Sequence, residues 1–330
     1  MSNRNIEQPI GSLSPGNVVS AGLRLYRDHL KVYFTIAFRA TLWSLLPFLF
    51  FIPIIPTLIA SNQVNPSSIL LLIVIEIPLL FYCFAKYVAN SALISRLAFR
   101  QLVGLPETVR EARNHVDRKF WIFLRTNLLY FLIYIGMVLG FYLAMIVIGI
   151  IFVIIAVATK NNILALIFMG LIGIVAFAFA LSFMIRFFTR LSIVEVPLAI
   201  EPNLNAKQTI GRSRALTKGY VGRIFLILTV GVLVSIPIYI VVRIAVSIIQ
   251  ASLLTIMNTT TTSISFQIIS LFVSYVLGLT IGVFVIPFWQ SIKAVIYYDL
   301  RTRQEGIDLQ IRDSNREDTE GDLNWEDTER

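Results

Sequence analysis

Six long apolar runs, at about 34–60, 69–95, 121–157, 163–190, 222–252 and 265–295, leave this 330-residue chain few ways to fold. Each exceeds the roughly 20 residues that carry a helix across a hydrocarbon core. Strands of a membrane barrel are only about ten residues long, so runs of this length predict helices. Hydrophobic residues make up 57% of the chain and charged residues 14%, where soluble domains carry about a quarter charged. So much apolar surface cannot all be buried inward, and lipid must solvate the remainder. The expectation is an all-α polytopic bundle of six transmembrane helices spanning 14–303. A flexible N-terminus (1–13) precedes it and an acidic, disordered cytoplasmic tail (304–330) follows. The third run is nearly twice the minimum length, which predicts a strong tilt, a break near Gly149 or an extension beyond the bilayer.

The loops are sharply divided by charge. Arg24, Arg27 and Lys31 precede the first run. Arg110, Arg113, Arg118 and Lys119 lie between runs two and three, and Arg212, Arg214 and Lys218 between four and five. Arg301, Arg303 and Arg312 follow the sixth, whereas the three alternate loops hold only Lys160. The bias of Lys and Arg toward the cytoplasm predicts that both termini lie inside. The formal net charge of +9 then belongs to one membrane face, where it predicts attraction to anionic headgroups and not nucleic-acid binding. The ten cations named from the first three segments are the candidate headgroup contacts. No secretory signal pattern is present in the first thirty residues, so the first run is expected to serve as an uncleaved insertion signal.

Three of the basic segments are also amphipathic. Val19, Leu23, Tyr26, Leu30 and Tyr33 recur at helical spacing before run one, and Val109, Ala112, Val116 and Phe120 before run three. Residues 206–220, with Ile210 and Tyr220, form a weaker version before run five. Ser14-Pro15, Pro106 and Asn205 predict where these helices begin. The result is an interfacial helix followed by an apolar hairpin, repeated with starts near 18, 109 and 209. Internal repeats build pseudosymmetric bundles, some of them transporters, although any multispan protein needs interfacial connectors.

Ionisable residues inside the membrane are the default functional candidates because each is costly unless paired or hydrated. Arg39, Arg125, Arg186 and Lys293 lie near the inner interface and read as snorkelling anchors. Lys86 lies deeper. Glu76 and Arg243 each fall about 10 Å below the outer surface, on spans two and five, and are a candidate intramembrane ion pair. Glu195 reads as a lone acid holding a connector against neighbouring arginines. The GxxxG motifs Gly136–Gly140 and Gly278–Gly282 predict close helix packing within the bundle. Prolines 47, 53, 56, 78, 237 and 287 are candidate kinks.

The chain has one cysteine, Cys83, and two histidines, His29 and His115, so neither a disulfide nor a thiolate metal site is expected. No Walker loop, HExxH or serine-histidine-acid set is present, and no cofactor or metal is expected. Asn258-Thr259-Thr260 is formally a glycosylation sequon, relevant only in a eukaryotic source.

Leu13-Ser14-Pro15-Gly16-Asn17, leading to Leu23-Arg24-Leu25-Tyr26-Arg27, resembles the start of the membrane domain of membrane-anchored glycerophosphoryl diester phosphodiesterases. The connector 206–219 and the exit Ala294-Val295-Ile296-Tyr297-Tyr298-Asp299-Leu300-Arg301-Thr302-Arg303-Gln304-Glu305-Gly306 are similar to that domain and to its stand-alone six-span bacterial relatives. The likeness covers roughly 13–310, and the exit is its most specific part. In those enzymes a separate soluble barrel carries the catalytic groups; the segment after the last span here is short, so no catalytic residue carries over. The resemblance implies a six-span domain that handles or senses lipid. The combined expectation is a non-enzymatic bacterial inner-membrane protein that binds anionic lipid, a protein partner or a second copy of itself. The alternative is a small transporter or channel with its polar site at Glu76 and Arg243.

Overall fold

The computed structural model describes residues 14–51, 66–159, 162–257 and 264–306. Within them the chain is all helical, and six helices are apolar and long enough to span a membrane. The spans are α2 (Leu30–Phe51), α3 (Pro66–Leu102), α5 (Phe120–Ala158), α6 (Ile163–Leu191), α9 (Val221–Met257) and α10 (Ile264–Glu305). Three amphipathic helices, α1 (Pro15–Asp28), α4 (Val109–Arg118) and α8 (Ala206–Leu216), precede successive hairpins, and a short α7 (Glu195–Ile200) follows α6. The expectations for residues 1–13, Pro53, Pro56, Lys160, Asn258 and the acidic tail beyond Gly306 fall outside the described residues, and the tail expected to be disordered from 304 is instead helical as far as Glu305.

Local chemistry sets the starts of the amphipathic helices. The Ser14 side chain accepts the Asn17 N–H at 3.3 Å and Pro15 occupies the first turn, as the sequence predicts. Helix α4 begins later than Pro106 suggests. Thr108 is its cap: its hydroxyl accepts the Glu111 N–H at 3.3 Å, and the Glu111 carboxylate accepts the Thr108 N–H at 2.9 Å. Glu107, the residue between, is drawn off to Arg96 instead. Asn205 starts α8, with its N–H donated to the Gln208 side chain at 2.9 Å. The buried face of α4 (Ala112, Val116) matches the predicted stripe, and that of α8 includes the expected Ile210 together with Leu216, while Tyr220 beyond it is half-buried. The buried face of α1 is shifted from the expected one: Val19 is buried as expected, but together with Val18 and Gly22, while Leu23 is exposed, as is Leu30 at the start of α2.

The three hairpins form a ring. Helices α3 and α5 join the first to the second, α6 and α9 the second to the third, and α10 closes back on α2 and α3. The amphipathic helices follow the same rotation. Each lies against the hairpin before its own: α4 on α3, α8 on α5 and α6, and α1 on α9 and α10. The repeated order of elements is thus matched by a repeated mode of packing.

Apolar side chains gain little by leaving a hydrocarbon solvent for one another, so close packing and polar links must hold such a bundle. Both concentrate at the end bearing the amphipathic helices, here called the basic end. The fully buried large side chains include Tyr33, Leu93, Ile193, Ile224, Tyr297 and Tyr298, all in that half. Gly22 and Gly231 mark the tightest approaches: a Cβ on Gly22 would stand 3.0 Å from the Ile292 backbone, and one on Gly231 would stand 2.9 Å from the Trp289 ring. The GxxxG expectation is corrected here. A Cβ on Gly136, Gly140 or Gly278 would meet nothing within 4 Å, because these glycines face away from neighbouring helices. Helix α5 runs unbroken through Gly149, and its length of about 58 Å exceeds a hydrocarbon core of roughly 30 Å. The far portions of α5 and α6 are exposed, as Leu139, Leu143, Ile172 and Phe179 show. Pro47, Pro78, Pro237 and Pro287 all lie inside continuous helices.

Candidate functional site

A buried ionic lattice ties the basic end together. Arg96, only 5% exposed, donates from Nε to Glu107 Oε1 at 2.5 Å and from Nη2 to Oε2 at 3.0 Å. Such bidentate pairing fixes orientation as well as charge. The same guanidinium donates from Nη1 to the Ala199 carbonyl at 2.8 Å, and Lys119 donates to the carbonyls of Leu198 and Glu201. Two cations therefore cap the C-terminal end of α7, where unpaired carbonyls and the helix dipole favour positive charge. Glu201 accepts from Arg212 Nε at 2.8 Å and from the Tyr297 hydroxyl. Arg212 also pairs with Glu305, which Arg301 holds at 2.7 Å. Asp299 pairs with Arg223 at 3.0 Å and Arg303 at 3.1 Å. The exit residues 294–306 are therefore a packing and charge-pairing centre: Tyr297, Tyr298 and Asp299 are buried and link α10 to neighbouring elements.

This lattice divides the ten candidate headgroup cations. Lys119 and Arg212 are corrected from surface contacts to internal links, because acceptors from the 198–201 segment reach them first. Burial, with nearby Arg96 adding repulsion, lowers the Lys119 ammonium to about 8, against partial support from Glu201. Arg113 is half-buried. Arg27 is exposed beside Asp28 at 3.4 Å, and Arg214 is exposed with its guanidinium over the Phe187 ring. Arg24, Lys31, Arg110, Arg118 and Lys218 are exposed. Seven of the ten thus face outward, distributed over the three amphipathic helices and their junctions.

Between the hairpins lies a cavity of about 570 Å³, lined from all three of them. This falls within the usual size of small-molecule sites, roughly 300–1,000 Å³. Phe84, Phe123, Phe188, Phe225 and Trp289 supply aromatic wall. Its charged members are Glu195 and Lys293, paired at 2.5 Å, with Gln290 Nε2 also donating to Glu195 at 2.9 Å. Glu195 therefore meets a lysine and a glutamine, not the arginines expected of it, and Lys293 is turned inward instead of snorkelling. Thr189 and Thr229 spend their hydroxyl hydrogens on their own helix carbonyls. Thr126 Oγ1 and Asn127 Nδ2 are buried with no partner among the described residues. Lys86, whose surroundings could not be read from sequence, stands 4.2 Å from the Phe120 ring centre, a cation–π arrangement.

Glu76 and Arg243 do not pair. Glu76 is 5% exposed, and neither carboxylate oxygen has a hydrogen-bond partner among the described residues. Arg243 is exposed on α9. Equal depth does not make them neighbours: α3 packs chiefly on α2, α10 and α5, whereas α9 packs on α10, α1 and α6. Among the described residues no group of three or more metal-ligating side chains comes together. No protein-family model, curated protein or solved structure matches this chain.

The residues that sequence reasoning missed are Thr126, Asn127 and Gln290. Each lies a few residues inside an apolar span, at a depth where polar side chains are costly unless satisfied. That displacement from the polar ends was the available signal.

Proposed function

We propose that this is a non-enzymatic integral membrane protein whose basic end faces the cytoplasm and binds anionic lipid. The observation that carries the reading is the outward display of Arg24, Arg27, Lys31, Arg110, Arg118, Arg214 and Lys218 at one end of a six-span bundle. Acids inside the lattice neutralise the inward-facing cations, so the display is not needed to hold the fold. Each exposed cation near an anionic surface contributes about 1 kcal/mol of attraction. The cytoplasmic placement rests on the charge bias between alternate loops, and the bacterial inner-membrane setting on the resemblance to stand-alone relatives of the phosphodiesterase membrane domain. That resemblance also agrees with a lipid-handling role.

The test is gentle purification from the native membrane followed by mass spectrometry of bound lipid and protein. Anionic lipid should be enriched over the bulk membrane, and Arg110→Gln with Arg118→Gln and Lys218→Gln should reduce that enrichment without lowering the melting temperature. Unchanged enrichment would count against the reading, and a stoichiometric protein partner or second copy would make the basic end a protein interface. One observation favours a second reading, a small transporter: Glu76 is a buried carboxyl without a hydrogen-bond partner among the described residues. Substrate-dependent proton uptake abolished by Glu76→Gln would support it.

A further inference from the structure

We propose that the cavity between the three hairpins binds a neutral, ester-bearing acyl amphiphile drawn sideways from the membrane, of the monoacylglycerol type. Three features identify the ligand class. The aromatic and aliphatic wall suits a hydrocarbon chain. The polar part is electrically balanced, since among the described residues Glu195 and Lys293 are the only charged ones lining it and they pair with one another at 2.5 Å. A second anion would confront Glu195, and a second cation Lys293, in surroundings where unpaired charge is expensive. The third feature is spare hydrogen-bonding capacity. Thr126, 3% exposed, lines the cavity with its hydroxyl unpartnered, and the adjacent Asn127 amide nitrogen is likewise unpartnered among the described residues. A hydroxyl and an amide N–H donate to an ester carbonyl without requiring charge.

The entrance fits a ligand arriving from lipid. Phe84 (45% exposed), Phe225 (43%) and Val232 (50%) line the cavity and remain substantially exposed, so the cavity is open at these residues of α3 and α9. Thr126 lies six positions along α5 from its start at Phe120, about 9 Å along the helix axis, so the polar groups stand below the basic surface. None of the seven outward-facing cations lines the cavity. The inference therefore goes beyond anionic-lipid binding and does not depend on it.

The test uses the full chain in nanodiscs with a monoacylglycerol carrying a photoreactive group on its acyl chain, and peptide mapping after irradiation. Labelling should fall on 123–130, 185–195 and 225–232, and unlabelled monoacylglycerol should compete better than lysophosphatidate of the same chain length. Loss of two hydrogen bonds in Thr126→Val with Asn127→Leu should weaken binding about tenfold. Val232→Trp, on an exposed face where it need not disturb the interior, should obstruct the entrance and also reduce labelling. Arg110→Gln with Arg118→Gln and Lys218→Gln should leave it unchanged, which separates this result from failure of the anionic-lipid reading. Label spread over the exposed spans and indifferent to both cavity variants would overturn the proposal, leaving water as the partner of Thr126 and Asn127. Stronger competition by lysophosphatidate would overturn the neutral-headgroup assignment.

Discussion

His115 is half-buried and Glu76 buried, and they predict opposite responses to change. Burial, then repulsion from Arg96 and Lys119, lowers the His115 imidazole to about 4. An unfolded chain takes up that proton at about 6.5. Between these values the unfolded state binds more proton, so this group contributes stability that is lost as pH falls through the window. Thermal melts at about pH 4.5, 5.5 and 7 should show a shallower acid decline for His115→Gln than for the parent. Glu76 offers the complementary case. Replacing a buried polar group that lacks a partner with an apolar one of similar volume removes a desolvation cost of about 1–3 kcal/mol. Glu76→Leu should therefore raise the melting temperature; a clear fall would show that the carboxyl has a stabilising partner.

The link between α3 and the start of α4 centres on Arg96, with Arg100 beside it. Arg96 holds both oxygens of Glu107 and also reaches the end of α7, so its loss leaves a carboxylate that is only 14% exposed with the looser 3.6 Å pairing to Arg100. Arg96→Met should cost about 1–3 kcal/mol by removing the closer partner of that charge, and Glu107→Gln in the same chain should recover part of the loss. A denaturation cycle over the two single variants and the double variant measures the coupling. Small residues provide a second contrast between elements. Gly22→Ala places a methyl 3.0 Å from the Ile292 backbone, and the required displacement should cost about 1–3 kcal/mol. Gly136→Ala has open space and should be neutral or stabilising by up to about 1 kcal/mol through helix propensity. The reverse order of melting temperatures would place the important helix approach at the GxxxG motif.

At the scale of the whole molecule, ring packing and charge bias predict two chemically different ends. In a Cys83→Ser background, Arg118→Cys at the basic end should react with a membrane-impermeant maleimide only after the cytoplasmic side is opened. Ile256→Cys, near the far end of α9 and 79% exposed, should react from outside in intact cells. The opposite pattern would invert the orientation and remove the cytoplasmic-lipid reading. The polar lattice and the tight glycine contacts lie together at the basic end, so truncating the exposed far tips should cost less than disturbing residues 294–306. That asymmetry is expected where hydrocarbon surroundings give apolar tips little reason to pack.

Six spans, their helical nature and the amphipathic connectors were legible along the chain because lipid thickness and helical periodicity act locally. Charge bias also yielded an expected orientation, since it depends on counting cations loop by loop. Partner choice is a tertiary matter. Whether Lys119 and Arg212 faced lipid or protein depended on acceptors at 198–201, and Glu76 missed Arg243 because neighbours in the ring, not equal depth, set contact. The cavity was likewise hidden: Thr126, Asn127, Glu195 and Lys293 come from three helical elements after α4 and meet only when the hairpins close. Sequence supplies each group's chemistry and its approximate depth, whereas the rotation of every helix about its axis, decided by close packing, determines what that group meets.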